Sequence, residues 1–382
     1  MRIVLRSAIF ANFVMFASLG TADERTVVSF TKKVLDTKFR SEGVAVGDFN
    51  HDGKMDIAAG SVYYAMPEGT MISIAEKPAE FDPKRYSNTF CNYADDVDGD
   101  GWTDLIVVGF PGKETSWFQN PRTPGGPWKK HKCIDITNNE SPTYLDVDGD
   151  GKRELLCSSG GQYITARPRE DPTKPWKIRP ISAPVPQWAG RFYHGLGVGD
   201  VNRDGRNDVI IPNGWWQSPV DGRVTEWLFH KTDFGPRCSQ MHVYDFDGDG
   251  DNDVLSSSAH SFGIWWHERT ADGWKRHEID RSFSQTHSLC LADINGDGLQ
   301  DFVTGKRWWA HGGKDDGGDQ PAVMVWFELV RKDGKAAWIP HKFDDDSGVG
   351  TQFEVADVNG DGLLDVVTAN KKGVFYFEQQ RK

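Results

Sequence analysis

The 382 residues carry 44 Lys and Arg against 56 Asp and Glu, a formal net charge of −12, with 41 Gly and 15 Trp. No basic stripe accompanies this balance, so nucleic acid is not an expected partner, and no apolar run is long enough for a membrane-spanning helix. Cys91, Cys133, Cys157, Cys238 and Cys290 are odd in number, far apart and without a CxxC pair, which excludes a disulfide scaffold and a zinc site.

Taken in order, residues 1–22 read as a secretory signal. Arg2 and Arg6 form a short basic start, residues 7–19 are largely apolar, and Gly20-Thr21-Ala22 offers small residues for cleavage. No Cys lies near that point, so a lipid anchor is not expected. The mature chain is expected to be secreted or periplasmic. Residues 27–36 then alternate apolar and polar side chains, as a half-exposed strand does.

At Asp48 the chain enters the first of seven copies of one loop. The copies place oxygen ligands at positions 1, 3, 5 and 9: Asp48, Asn50, Asp52, Asp56, then Asp96, Asp98, Asp100, Asp104, then Asp146, Asp148, Asp150, Glu154. They continue with Asp200, Asn202, Asp204, Asp208, with Asp245, Asp247, Asp249, Asp253, with Asp293, Asn295, Asp297, Asp301, and with Asp357, Asn359, Asp361, Asp365. Position 6 is Gly in every copy (Gly53, Gly101, Gly151, Gly205, Gly250, Gly298, Gly362), where a sharp turn needs positive φ. Alternate side chains of a tight loop converge, and an all-oxygen set suits calcium, where zinc would call for His or Cys. The opening resembles an EF-hand, but the Glu at position 12 and the flanking helices are missing; Val254-Leu255 begins a strand instead. Several structural calcium ions are therefore expected. Removing the signal takes away two positive charges, and seven divalent cations would then bring the chain close to neutrality. The acidity thus says little about partners.

The loops start 45 to 64 residues apart. A repeat of that period with strand patterns inside it signals a propeller rather than two or three separate domains. Each unit reads as an inner strand entering the loop (288–292), a second leaving it (302–304) and an aromatic third (117–119, 265–267, 325–328, 375–378). An outer fourth opens with Trp128, Trp274 or Trp338. The chain stops soon after its last third strand, so residues 27–36 are expected to supply the missing fourth and close the ring, which removes the open sheet edge. The reading is all-β, a seven-bladed propeller over residues 26–380, expected as a monomer. His131, His277 and His341 occupy equivalent outer-strand positions and read as structural. Of each pair Trp215-Trp216, Trp265-Trp266 and Trp308-Trp309, one ring is expected in the core and the other free to stack on a pyranose.

These loops, each followed by a strand, resemble the FG-GAP/VCBS repeats of secreted bacterial proteins and the calcium loops of integrin α propellers. A narrower likeness lies in Ser258-Ala259-His260, Gly263-Ile264-Trp265-Trp266, Gln285-Thr286-His287-Ser288, Thr304-Gly305-Lys306-Arg307, Ala310-His311 and residues 346–352. These look like the propeller domain of fungal aldos-2-ulose dehydratase. That resemblance implies metal-assisted elimination of water from an oxidised sugar. The cupin-type domains that accompany the fungal propeller have no counterpart in these residues.

If the acidic loops share one face, residues six before a loop or five to seven after its ninth position meet at the other. That brings together His194, His287, Thr351 and Glu42 with His260, Asn213, Lys306, Arg307 and Asn370, and Gln240 and Gln352 nearby. Histidine serves as a base near neutral pH or as a metal ligand, and Lys or Arg holds a carboxylate or steadies an enolate. His194, His260, His287, Lys306 and Arg307 are the catalytic candidates, for abstraction of a proton α to a carbonyl and loss of a β-substituent. The three His could instead hold one further divalent metal. A carbohydrate or keto-sugar is the expected ligand and a carbon–oxygen lyase, dehydratase or polysaccharide lyase, the expected activity; the alternative is a non-catalytic adhesion or glycan-binding propeller. His242 faces either the channel or the blade core, and His311 sits in an insertion, 308–323, that reads as a lid or a surface loop.

Overall fold

Residues 27–222 and 224–381 are described by the computed structural model; the signal expected at residues 1–22 lies outside them. Alternation sets the strands. In Val28–Asp36 exposed and half-buried residues alternate along the first six positions, whereas the second strands, such as Asp104–Val108 and Asp253–Ser257, are buried at every position. Twenty-eight strands result among the described residues, with one short 3-10 turn at Ala310–Gly313. No helix among these residues is long and apolar enough to cross a membrane.

The strands form antiparallel meanders in a β-propeller arrangement. Ala45–Gly47, Asp56–Ala59, Val62–Ala65 and Thr70–Ser73 make one four-stranded sheet in chain order. The final unit, Phe353–Ala356, Asp365–Asn370 and Gly373–Arg381, takes its fourth strand from Val28–Asp36, paired from Val28↔Arg381 to Val34↔Phe375. In place of seven separate sheets there are five four-stranded sheets and one of eight strands. The eight-stranded sheet joins two meanders through a parallel pairing of Leu196–Gly199 with Gln240–Tyr244, Leu196↔Gln240 and Gly197↔Met241. Two glycines allow it: a Cβ on Gly197 would lie 2.1 Å from the Met241 carbonyl oxygen, and one on Gly199 2.6 Å from Val243 Cβ.

The core is laid down between consecutive units. Tyr63 and Ile74 of the first pack on Leu105 and Trp128 of the second, and Trp117 and Ile134 pack on Leu155 and Trp176 of the third. At the far end Val367 and Tyr376 pack on Ile57, Val62 and Tyr64 of the first unit. The outer-strand histidines stack on third-strand tryptophans directly opposite them: Trp117 on His131 at 4.7 Å, Trp266 on His277 at 4.4 Å and Trp326 on His341 at 4.2 Å between ring centroids. Such pairs tie the two outer strands together. Of the tryptophan pairs, Trp265-Trp266 follows expectation, with Trp266 buried and Trp265 half-buried, and the other two depart from it. Trp215 and Trp216 are both buried, because each face of their strand meets a different neighbouring unit, whereas Trp308 and Trp309 are both half-buried. All five cysteines are free, and four are buried.

Candidate functional site

Each acidic loop leaves an inner strand and enters a second strand, so the seven lie at corresponding ends of their units. The glycine at position 6 has positive φ throughout, from 82° at Gly205 to 101° at Gly250. The first aspartate turns inward to accept from the loop backbone, as Asp48 does from the amides of Asp52 (3.0 Å) and Gly53 (2.9 Å). The ninth residue has a double duty. Asp104 is buried and accepts from Val97 N at 3.0 Å and from Asn120 N, at the end of the third strand, at 2.7 Å. Asp301 does the same for Ile294 and Leu329. Burial pushes these carboxyls up, to about 8 at Asp104, about 7 at Asp253, Asp301 and Glu154, and about 6 at Asp56 and Asp208. Three loops bring three carboxylates within metal-ligating distance of one another: Asp96, Asp98, Asp104; Asp146, Asp148, Glu154; and Asp245, Asp247, Asp253. These are the copies with Asp at position 3. Where position 3 is Asn, its Nδ2 donates to the position-5 aspartate, as Asn295 does to Asp297 at 3.0 Å.

At the opposite ends of the strands His194, His260 and His287 converge, with ligating nitrogens within 4.8 Å of one another. His194 Nε2 lies 2.7 Å from His260 Nε2. Glu140 sits against all of this, its Oε1 3.8 Å from His194 Nε2 and its Oε2 3.3 Å from His287 Nε2. Arg307 is buried behind the cluster. It bonds Glu42, reaches Glu140 Oε2 at 3.3 Å and donates to His287 Nε2 at 2.8 Å. Burial drives His194 down to about 3, His287 well below the usual imidazole range and His260 below it. Burial alone would raise the Glu140 carboxyl, but its neighbours His194, His287 and Arg307 hold it well below the carboxylate range, and with both histidines neutral the charge that does so is that of Arg307. The set is thus three neutral imidazoles and one ionised carboxylate.

Proton positions follow from Asp315. Its carboxylate accepts from His260 Nδ1 and Gln285 Nε2, both at 3.0 Å, and from His311 Nδ1 at 2.9 Å. Burial opposes that charge, yet these donors keep it below the usual carboxylate range. With Nδ1 donating to Asp315 in each, the neutral tautomers of His260 and His311 turn Nε2 outward as the acceptor. The His260 and His311 rings stack at 4.6 Å. Meanwhile the Nδ1 atoms of His194 and His287 are buried without a partner.

Glu140, His194, His260 and His311 line a cavity of about 460 Å³ whose other wall carries Arg191, Phe192, Tyr193, Asn213 and Arg237. Around it non-glycine residues adopt left-handed backbone: Phe192 (φ 63°), Arg237 (46°), Gln285 (60°), Trp309 (58°) and His311 (47°). Strain of this kind persists only where the surroundings impose it. The 308–323 insertion covers the histidines and is pinned by His311 N to Tyr86 Oη (3.0 Å), Lys371 Nζ to Trp309 O (3.1 Å) and Ser261 Oγ to Asp316 (2.8 Å).

The three predicted histidines and Arg307 do meet, but two expected roles change. Lys306 is fully buried and donates to Ser284 Oγ and Gln285 Oε1, and burial lowers it to about 8. Arg307 is engaged by two carboxylates of the chain itself. Neither lines the cavity; both are buried beside it and bonded to its neighbours. Thr351 and Asn370 bond backbone carbonyls. Gln240, Gln352 and His242 line a different cavity of about 380 Å³, beside the inner strands. Sequence reading missed Glu140 and Asp315. Glu140 had a signal, since it stands six residues before Asp146, the offset that singled out His194 and His287. Asp315 had none beyond its place in the insertion.

The arrangement is that of a repeat propeller with a polar pocket beside the His cluster. The FG-GAP-like repeat family matches residues 96–157 and 245–304, and the FG-GAP repeat matches residues 42–65. The chain therefore carries FG-GAP-like repeats on a β-propeller arrangement. Among solved structures it is similar to BBS1N, crystallised in complex with ARL6DN, at 8% identity and a TM-score of 0.51, over 92% of this chain and 96% of that one. It is also similar to an Agrocybe aegerita lectin specific for non-reducing terminal N-acetylglucosamine (15%, TM-score 0.46, 84% and 81%). A third is the rhamnogalacturonan lyase YesW (13%, 0.46, 91% and 72%). At these identities the likeness concerns fold alone. No curated protein sequence matches the chain, and the narrower likeness to the aldos-2-ulose dehydratase propeller finds no support among the matches.

Proposed function

We infer that this is an exported, calcium-loaded, seven-bladed propeller, its ring closed by the N-terminal strand, whose His-lined pocket carries out β-elimination on a sugar. Seven loops and seven core clusters, each lying between consecutive units, favour seven blades, the eight-stranded sheet counting as two. The observation that carries the activity is the convergence of His194, His260, His287 and Glu140 in one buried cluster at the floor of the pocket.

That donor set would fit one divalent transition metal once the ion replaced the Arg307 hydrogen bond at His287 Nε2: neutral imidazoles, an ionised carboxylate, and Asp315 holding His260 from behind in the manner of a carboxylate behind a metal-bound histidine. Such an ion would polarise a sugar carbonyl and so acidify the adjacent C–H. His311, its Nδ1–H held by Asp315, has its Nε2 free to take that proton. The C–H electron pair becomes the new C=C, the β C–O bond breaks, and the departing oxygen takes up a proton, leaving an unsaturated sugar and water or an alcohol. Phe192, exposed at the pocket wall, offers a face for a sugar ring.

The test is ultraviolet absorbance of a new conjugated double bond, with calcium-loaded protein offered uronic-acid polysaccharides and keto-sugars. The signal is expected to disappear in His260→Ala and His287→Ala while calcium content and melting are kept, with one transition-metal equivalent lost. A flat trace across the panel from metal-replete protein would leave the adhesive or glycan-binding propeller as the better reading.

A further inference from the structure

The pocket wall opposite the histidines carries Arg237, a cation with no acidic partner among the described residues. Arg237 is exposed and lines the cavity with Tyr193, Asn213 and His194. Among the described residues its guanidinium has no hydrogen bond or ion pair; only its backbone is held, by Ala259 N donating to Arg237 O at 3.0 Å. The chain otherwise carries an excess of acid, at −12, and most of the pocket's other charges are matched internally. Glu140 faces Arg307, and Asp315 faces two histidines. Arg191 is committed as well, donating to Pro111 O at 2.7 Å and lying 4.5 Å from the Phe192 ring centre. Left-handed backbone at Arg237 (φ 46°) and Phe192 (φ 63°), where glycine would be easier, fixes this wall in place.

We propose that Arg237 is a carboxylate-binding residue and that the pocket takes an acidic sugar, a uronate, with its carboxylate on the Arg237 guanidinium and its ring against Phe192. A planar fork of donors matches a carboxylate in two parallel hydrogen bonds. Asn213 adds to the same wall: its Oδ1 accepts from Tyr193 Oη at 3.1 Å, which leaves its amide N–H groups for a sugar hydroxyl. This assignment rests on the reading of the pocket as a sugar site and names the substrate class within it. It also suits elimination, since neutralising a uronate carboxylate acidifies the proton on the carbon beside it.

Calorimetric titration of calcium-loaded protein with trigalacturonate and with its methyl ester tests the proposal. The acid is expected to bind more tightly than the ester by roughly ten- to a hundredfold, the value of a hydrogen bond to a charged group. Arg237→Gln is expected to abolish that preference, and Arg237→Lys to keep part of it. Equal affinity for acid and ester, or no binding of the acid, would overturn the proposal. Absorbance of the same mixtures separates the two readings. An acid preference with no double bond supports the carboxylate site and sinks the elimination. A double bond formed from a keto-sugar, with no acid preference, does the reverse.

Discussion

Stripped of calcium by excess EDTA, the protein is expected to melt far below its loaded form, and the stripped form is expected to regain stability as pH falls from about 8 to about 6.5. The first effect is mass action: each filled loop stabilises by about 2.7 kcal/mol when free calcium stands at a hundred times its dissociation constant. The second follows from the ninth-position carboxyls. Burial raises them above the ordinary 3.8 of aspartate, to about 8 at Asp104 and about 7 at Asp253 and Asp301. Between the unfolded and folded values the folded state holds protons that the unfolded state has lost. Stability is therefore highest below that window and is lost as pH rises through it. Calcium bound in the loops would take the place of those protons, so a loaded protein is expected to lack the trend. Below about 6.5 the buried neutral histidines, His194 and His287 foremost, act in the opposite sense, because they charge only on unfolding. Thermal melts across pH, with and without EDTA, read both effects. An unchanged melt after confirmed calcium loss would remove the structural role of the loops. A stripped protein that weakens steadily from about pH 8 down to 6.5 would contradict the carboxyl argument.

Arg307→Leu is expected to destabilise by about 3–5 kcal/mol, because it leaves the buried carboxylates of Glu42 and Glu140 without their cation. Adding Glu140→Gln should recover part of the loss by removing one stranded charge. Lys306→Met offers the comparison. Lys306 is as deeply buried, but its neighbours Ser284 and Gln285 are neutral, and its depressed value near 8 means it gives up its proton readily. Its loss is expected to cost about 1–3 kcal/mol, the range for unpaired polar groups. Urea unfolding of the three variants measures the difference, and an Arg307→Leu cost no greater than that of Lys306→Met would show that Arg307 is not the counter-ion of the cluster.

The two buried cations show where sequence reading stops. Offsets from the acidic loops brought Lys306 and Arg307 to the right end of the right strand, and they did so for His194, His260 and His287. They could not say what each side chain would touch. Arg307 meets Glu42 across 265 residues and Glu140 across 167, and those partners lie on different units whose approach only the packing of the units brings about. Asp315 is a sharper case. Nothing in the 308–323 insertion marks it out, yet it sets the proton positions of His260 and His311 at once. The assumption that one residue of each tryptophan pair is buried failed at Trp215-Trp216 for a related reason. A strand between two neighbouring units has no solvent face, so alternation distributes its side chains between two cores instead of between core and water.

By itself the sequence determined what depends on local chemistry at short range. A glycine at position 6 and alternating carboxylates dictate the turn; alternation and aromatic content dictate the strands; seven repetitions of both dictate a propeller arrangement and the face on which the histidines emerge. Tertiary structure alone decided which charges neutralise one another, which histidine nitrogens face a carboxylate, and that Arg237 has no partner among the described residues. It also decided that two meanders merge through Gly197 and Gly199 into one sheet. The physical reason is common to all of these. Turn and strand preferences act within a few residues, whereas burial, ion pairing and close backbone approach depend on distances between units far apart in the chain, and those distances exist only once the units have packed.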